Sequence, residues 1–174
     1  MFLAAETFVG RLNYTKDANW LSLLGPSGIG KTKLAREIYR HFMDHSRFVV
    51  DFDPLRQRIT QNTGQFCCWR SFCSDLRGGS FGRIDDLEQD WLVILDDIGA
   101  ENGTPFIMSV LDRICNFRAR EGRPMWTVIA CNLYLDQIAQ QLDPRIADRM
   151  LRNGSVVIES ELESWQTKGT KSEN

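Results

Sequence analysis

The stretch GPSGIGKT, Gly25 to Thr32, constrains this chain more than any other. It matches G-x-x-x-x-G-K-[ST], the spacing with which a backbone loop cradles the phosphates of a nucleotide. Glycine leaves room for backbone N–H groups to turn toward the β- and γ-phosphates, where a Cβ would intrude. Gly25, Pro26, Ser27, Gly28, Ile29 and Gly30 then form the cradle. Lys31 reaches the phosphates, and the Thr32 hydroxyl ligates Mg2+. The flanks fit that role. WLSLL, Trp20 to Leu24, is a short apolar run suited to a buried parallel strand. Leu34, Ala35, Ile38, Tyr39 and Phe42 recur at helical spacing, which puts the phosphates at a helix N-terminus.

Further strands are predicted at Arg47 to Phe52, Trp91 to Asp97, Thr127 to Asn132 and Ser155 to Ser160. Helices are predicted from Pro54 through Leu55 and Ile59, over Phe66 to Leu76, and along Ile107, Val110, Leu111, Ile114 and Phe117. Two more fall around Asp136 to Gln141 and Pro144 to Leu151. Strands alternating with helices predict an α/β fold, a three-layer αβα sandwich around a parallel sheet. At 174 residues and 43% hydrophobic, the chain can bury one substantial core. Residues 1–19 read as an N-terminal arm, 20–166 as the folded domain and 167–174 as a polar, disordered tail. No apolar run approaches the roughly 20 residues of a membrane-spanning helix, so no membrane is expected. The start lacks a secretory signal, and five cysteines, an odd number, read as reduced thiols of a cytoplasmic protein.

LVILDD, Leu92 to Asp97, ends an apolar strand in two acids at the edge where ligands of open α/β sheets bind. Asp96 is placed to hold Mg2+ through water, and Asp97 to orient or deprotonate an attacking water. Asn132, closing TVIACN, can hydrogen-bond a water next to the γ-phosphate, or can simply turn the chain. In DPRIADRM, Arg145 and Arg149 share one helix face. Such an arginine can reach a neighbouring subunit's γ-phosphate, although by spacing alone pairing with Asp143 or Asp148 is the plainer reading. Between Arg56 and Arg83, arginines interleave with Phe66, Trp69, Phe72 and Phe81. Trp69, Phe72, Cys73 and Leu76 fit a core-facing helix stripe, which leaves Arg70 and Arg77 as the DNA-contact candidates. The net charge of −2 does not advertise a nucleic-acid binder but leaves room for a local basic patch. Cys67, Cys68 and Cys73 lack the spacing of a zinc site, and His41 with His45 lacks a third ligand.

Together GPSGIGKT, LVILDDIGAE, TVIACNL and DPRIADRMLRNGSVV resemble a AAA+ ATPase, most closely the DnaC/IstB-like branch of helicase loaders and transposition helpers. The resemblance covers roughly Trp20 to Trp165. It implies a five-stranded parallel sheet in the order 5-1-4-3-2, with ATP and Mg2+ as the nucleotide and ion. It implies that Lys31 and Thr32 are the Walker A pair, Asp96 and Asp97 the Walker B acids and Asn132 sensor 1. Arg149 matches the arginine finger that acts in trans, with Arg145 an accessory residue one turn earlier. The partners implied are single-stranded or duplex DNA, a replicative helicase or transposase, and further copies of the chain in a homo-oligomer. Two departures stand out. Gln166 occupies a position where such loaders often carry an arginine, and fewer than twenty-five residues precede the phosphate loop, too few for the family's N-terminal helical domain. The expected activity is ATP hydrolysis. The alternatives are a nucleotide-gated switch that scarcely hydrolyses ATP and, further off, a small-molecule kinase.

Overall fold

The computed structural model describes residues 2–11, 19–45, 50–53, 58–61, 63–99, 104–120, 125–152 and 155–160. Five strands form one parallel sheet: β1 (Asn19–Leu24), β4 (Gly64–Cys68), β5 (Leu92–Ile98), β6 (Trp126–Cys131) and β7 (Val156–Glu159). They lie in the order β4-β5-β6-β1-β7. Numbered within the sheet and read from the other edge, that order is 5-1-4-3-2, as the resemblance implies. The strands are apolar on both faces because both faces are covered. Leu21, Leu23, Leu92, Ile94, Trp126 and Val128 face α2 (Lys31–His45) and the short helix α1 (Phe2–Arg11). Trp20, Leu24, Val93, Leu95, Ile129 and Cys131 share the opposite core with the helices that follow β4. Those are α3 (Trp69–Arg77), α4 (Arg83–Gln89), α5 (Pro105–Arg118), α6 (Leu135–Gln141) and α7 (Pro144–Met150). Thr104 caps α5 by accepting from the Ile107 N–H, and Asp143 caps α7 by accepting from the Arg145 N–H. In both, proline fills the first helical position, where no N–H is needed.

Three elements depart from expectation. The strand predicted at Arg47 to Phe52 is seen as β2 (Val50–Asp53), which pairs antiparallel with β3 (Arg58–Gln61) in a separate two-stranded sheet. Ile59 thus sits in a strand rather than a helix, while Pro54 and Leu55 lie outside the described residues. The second strand of the main sheet is instead Gly64–Cys68, and the helix predicted from Phe66 begins only at Trp69. Phe66, Trp69, Phe72, Cys73 and Leu76 all fit helical spacing, so periodicity could not separate a strand end from a helix start. Burial does: Phe66 packs on the α2 side of the sheet, whereas Trp69, Phe72, Cys73 and Leu76 are buried on the other. Finally, the N-terminal arm contains α1, whose Ala5 and Phe8 are buried. The Phe8 ring meets Trp126 edge-on at 5.3 Å between centroids.

One buried charge ties the lower end of the sheet together. Arg118, the last residue of α5, is fully buried and makes no ion pair among the described residues. Its guanidinium donates to the Thr127 hydroxyl and to the carbonyls of Leu87, Asp90, Trp91 and Trp126. Those acceptors lie at the end of α4 and the entry to β5 and β6, opposite the strand ends that carry the acids and Asn132. No helix among the described residues is long and apolar enough to cross a membrane.

Candidate nucleotide-binding site

The carboxyl ends of β1, β5 and β6 converge on an open cleft of about 410 Å³. Gly28, Gly30, Lys31 and Thr32 line one wall, Asp96, Asp97 and Asn132 another, and Cys68 closes the side toward α3. The loop between β1 and α2 takes its shape from glycine. Gly25, Gly28 and Gly30 have φ of 124°, 81° and 95°, a region that side chains resist. Gly25 has a second reason: a Cβ there would run into the Ser160 carbonyl oxygen. The Ser160 N–H in turn donates to Leu24 O at 3.1 Å, so the exit of β7 braces the start of the loop.

Lys31 is only 6% exposed. Its ammonium donates to the carbonyls of Gly25 and Pro26, each at 2.7 Å. Burial pushes its pKa below the ordinary lysine value, against the pull of nearby negative groups that include both aspartates. The Thr32 hydroxyl donates to Asp96 Oδ1 at 2.9 Å. Asp96 is 5% exposed, and burial raises its pKa although the Thr32 bond opposes the shift. A hydroxyl and a carboxylate side by side are hard oxygen donors with room for water alongside, the ligand chemistry Mg2+ takes. Thr32 and Asp96 would hold that ion, which when bound neutralises charge on the phosphates.

Adjacent residues of a regular strand point to opposite faces, so Asp96 and Asp97 should not both reach one cleft. A bulge solves this. Asp96 pairs with Ala130 and Ile98 with Cys131, leaving Asp97 as an extra residue. Asp97 has φ 65°, the only positive φ of a non-glycine among the described residues. The turned carboxylate accepts from Asn132 Nδ2 at 3.1 Å on Oδ1 and lies 3.8 Å from Arg70 Nε on Oδ2.

The cleft thus gathers Lys31, Thr32, Asp96, Asp97 and Asn132 with the glycine loop, but neither Arg145 nor Arg149 lines it. Arg149 is held on the face of α5. It donates to Asp112 Oδ1 at 2.6 Å and to Asn116 Oδ1 at 3.3 Å, with its side chain 12% exposed. Arg145 pairs with its own cap, Asp143. Arg77 lies on the exposed end of α3, and Arg70 is beside Asp97. Gln166 lies outside the described residues. Two features escaped the sequence reading. Phe106, at the start of α5, stacks edge-to-face with Phe81 at 6.0 Å, and both rings are about half exposed. Cys68 lines the cleft; its place there depends on where β4 ends, which periodicity left open.

All five cysteines are thiols, and only Cys68 is exposed. Burial pushes Cys67 and Cys115 up to about 12, where thiolate is scarce at neutral pH. Under native conditions N-ethylmaleimide should therefore modify one thiol per chain rapidly, with mass spectrometry locating it at Cys68. Saturating nucleotide should slow that reaction by about tenfold, because the ligand fills the space beside it. Rapid loss of several thiols, or no protection, would mean Cys68 does not border the nucleotide.

No protein-family model and no curated protein matches the chain. Solved structures do. DnaI aligns over 93% of this chain and 82% of its own at 20% identity, with a TM-score of 0.68. The DnaC helicase loader aligns over 90% of this chain and 86% of its own at 18% identity, with a TM-score of 0.66. The replication initiator DnaA bound to AMPPCP and single-stranded DNA aligns over 92% of this chain and 46% of its own at 18% identity, with a TM-score of 0.63. Likeness at such identities speaks for architecture, and it agrees with the strand order: by fold, this chain is a three-layer αβα sandwich of the kind those structures share.

Proposed function

We propose that the chain is an ATPase that binds ATP with Mg2+ in the cleft and couples nucleotide state to assembly on DNA, loading a replicative helicase or assisting a transposase. The observation that carries this reading is the convergence of Lys31, the Thr32–Asp96 pair and the Asn132–Asp97 pair on one cleft. Lys31 trades two loop carbonyls for phosphate oxygens, and Asp96 with Thr32 holds the ion. Asp97 and Asn132 orient the attacking water toward the γ-phosphate. The fold it shares with a helicase loader and with a DNA-bound initiator supports the DNA role. So does the chemistry of one segment, where Phe81, half exposed against Phe106, lies between Arg77 and Arg83 along the chain that links α3 to α4. Aromatic rings beside arginines suit bases and phosphates of a single strand.

Arg149 enters this reading as the cation one copy lends to its neighbour's γ-phosphate. Within one chain it is tied to Asp112 and Asn116, so assembly has to re-partner it. The test is steady-state ATP hydrolysis over a protein-concentration series, with and without single-stranded DNA, for the wild type and Arg149→Ala. Specific activity should rise with concentration, respond to DNA and fall at least about tenfold in Arg149→Ala, with ATP affinity nearly unchanged. Activity per chain that is flat and indifferent to DNA would point to a self-contained P-loop enzyme such as a kinase. Tight binding without turnover would make the chain a nucleotide switch.

A further inference from the structure

Asp97 is held from two directions. Asn132, at the end of β6, occupies Oδ1 at 3.1 Å, and Arg70, in the first turn of α3, stands 3.8 Å from Oδ2. The carboxylate needs that support for a local reason. It hangs from a bulged residue at φ 65°, outside the regular ladder that orients its neighbours, and the terminal torsion of an aspartate is broad. A single hydrogen bond to Oδ1 leaves the carboxylate free to swing about that bond. A cation on the other oxygen removes the freedom. Arg70 can supply it because β4 ends at Cys68, in register with Asp96, and α3 starts immediately beyond, beside the cleft.

We propose that Arg70 is a positioning residue for Asp97, setting the plane in which that carboxylate meets the attacking water. The inference rests on the hydrolytic reading of the cleft given above. It assigns Arg70 to the nucleotide site rather than to a DNA phosphate. The ion pair is long and its arginine is 65% exposed, so the effect is moderate.

Arg70→Ala should lower kcat for ATP by about three- to tenfold while KM and the Kd of a non-hydrolysable ATP analogue stay unchanged. Arg70→Lys should recover much of the loss, since a cation remains within reach. In an Asp97→Asn background, where little charge is left to orient, Arg70→Ala should change kcat by less than about twofold. An unchanged or raised kcat in Arg70→Ala, a Kd that worsens as much as kcat falls, or full additivity with Asp97→Asn each overturns the assignment. Wild-type protein that binds ATP but never turns it over removes the hydrolytic reading and this proposal with it. Wild-type turnover that is indifferent to Arg70 removes this proposal alone.

Discussion

Lys31→Ala should weaken ATP binding on the order of 100-fold, about 2.7 kcal/mol, while leaving the folded chain nearly as stable as before. The two halves of that expectation have one cause. The ammonium is buried and donates to the carbonyls of Gly25 and Pro26. Burial already lowers its pKa, a sign that the charged form is held at some cost. Removing the group therefore relieves desolvation as well as losing two hydrogen bonds, and because Lys31 itself lines the open cleft, water can enter the space its ammonium leaves. A triphosphate has no such substitute, since its oxygens lose a charge-assisted partner at the point where negative charge is densest. Titration with a fluorescent ATP analogue, alongside thermal melting, reads both quantities. Unchanged affinity would mean that the loop does not cradle phosphate. Lost affinity accompanied by a large fall in melting temperature would mean that Lys31 is a structural strut whose removal collapses the loop.

Lys31 also shows why this site was legible before any coordinates. The glycine spacing, the lysine and the threonine are local requirements of one loop, and the strand and helix around them are written as a short apolar run and a 3.6-residue period. The acids of LVILDD were legible for the same reason, although strand alternation alone would have sent Asp96 and Asp97 to opposite faces; the bulge that reunites them has no sequence mark beyond the acids themselves. What could not be read was set by distant contacts. Residues 47–68 hold several short β-favouring segments, and nothing local tells which of them joins the main sheet. Gly64–Cys68 joins because its register places it against β5, with Phe66 over α2 and Cys67 in the opposite core. Arg149 was legible as an arginine on a helix face, but its tie to Asp112 and Asn116 depends on how α7 packs against α5. Phe106 precedes the apolar stripe that marks its helix, and its partner Phe81 comes from a loop 25 residues earlier.

Arg118 is the residue the sequence hid most completely, and its removal should cost the fold most. In NFRAREGRP it looks like a basic helix end turned to solvent, where a cation complements the helix dipole. The structure buries it fully and gives its guanidinium five oxygen acceptors, four of them backbone carbonyls. Burial draws its pKa down to about 9, so it remains charged at neutral pH. Arg118→Met keeps most of the stem but strands oxygens at the end of α4 and the entries to β5 and β6. Each acceptor left dry costs about 1–3 kcal/mol, moderated where helix or ladder bonds already serve it. A net loss of about 3–5 kcal/mol is expected, against a typical total of about 5–15 kcal/mol for a domain. Arg118→Lys should recover little, because one ammonium has three donors at a single point and cannot span acceptors on several elements. Urea unfolding followed by tryptophan fluorescence would read the change. At temperatures where the variant stays folded, ATP affinity should match the wild type, since Arg118 sits at the strand ends opposite the cleft. An unchanged midpoint would mean that water reaches those carbonyls and the guanidinium is not what closes this end of the sheet. A full loss of nucleotide binding in still-folded protein would mean that the two ends of the sheet are coupled through β5 and β6.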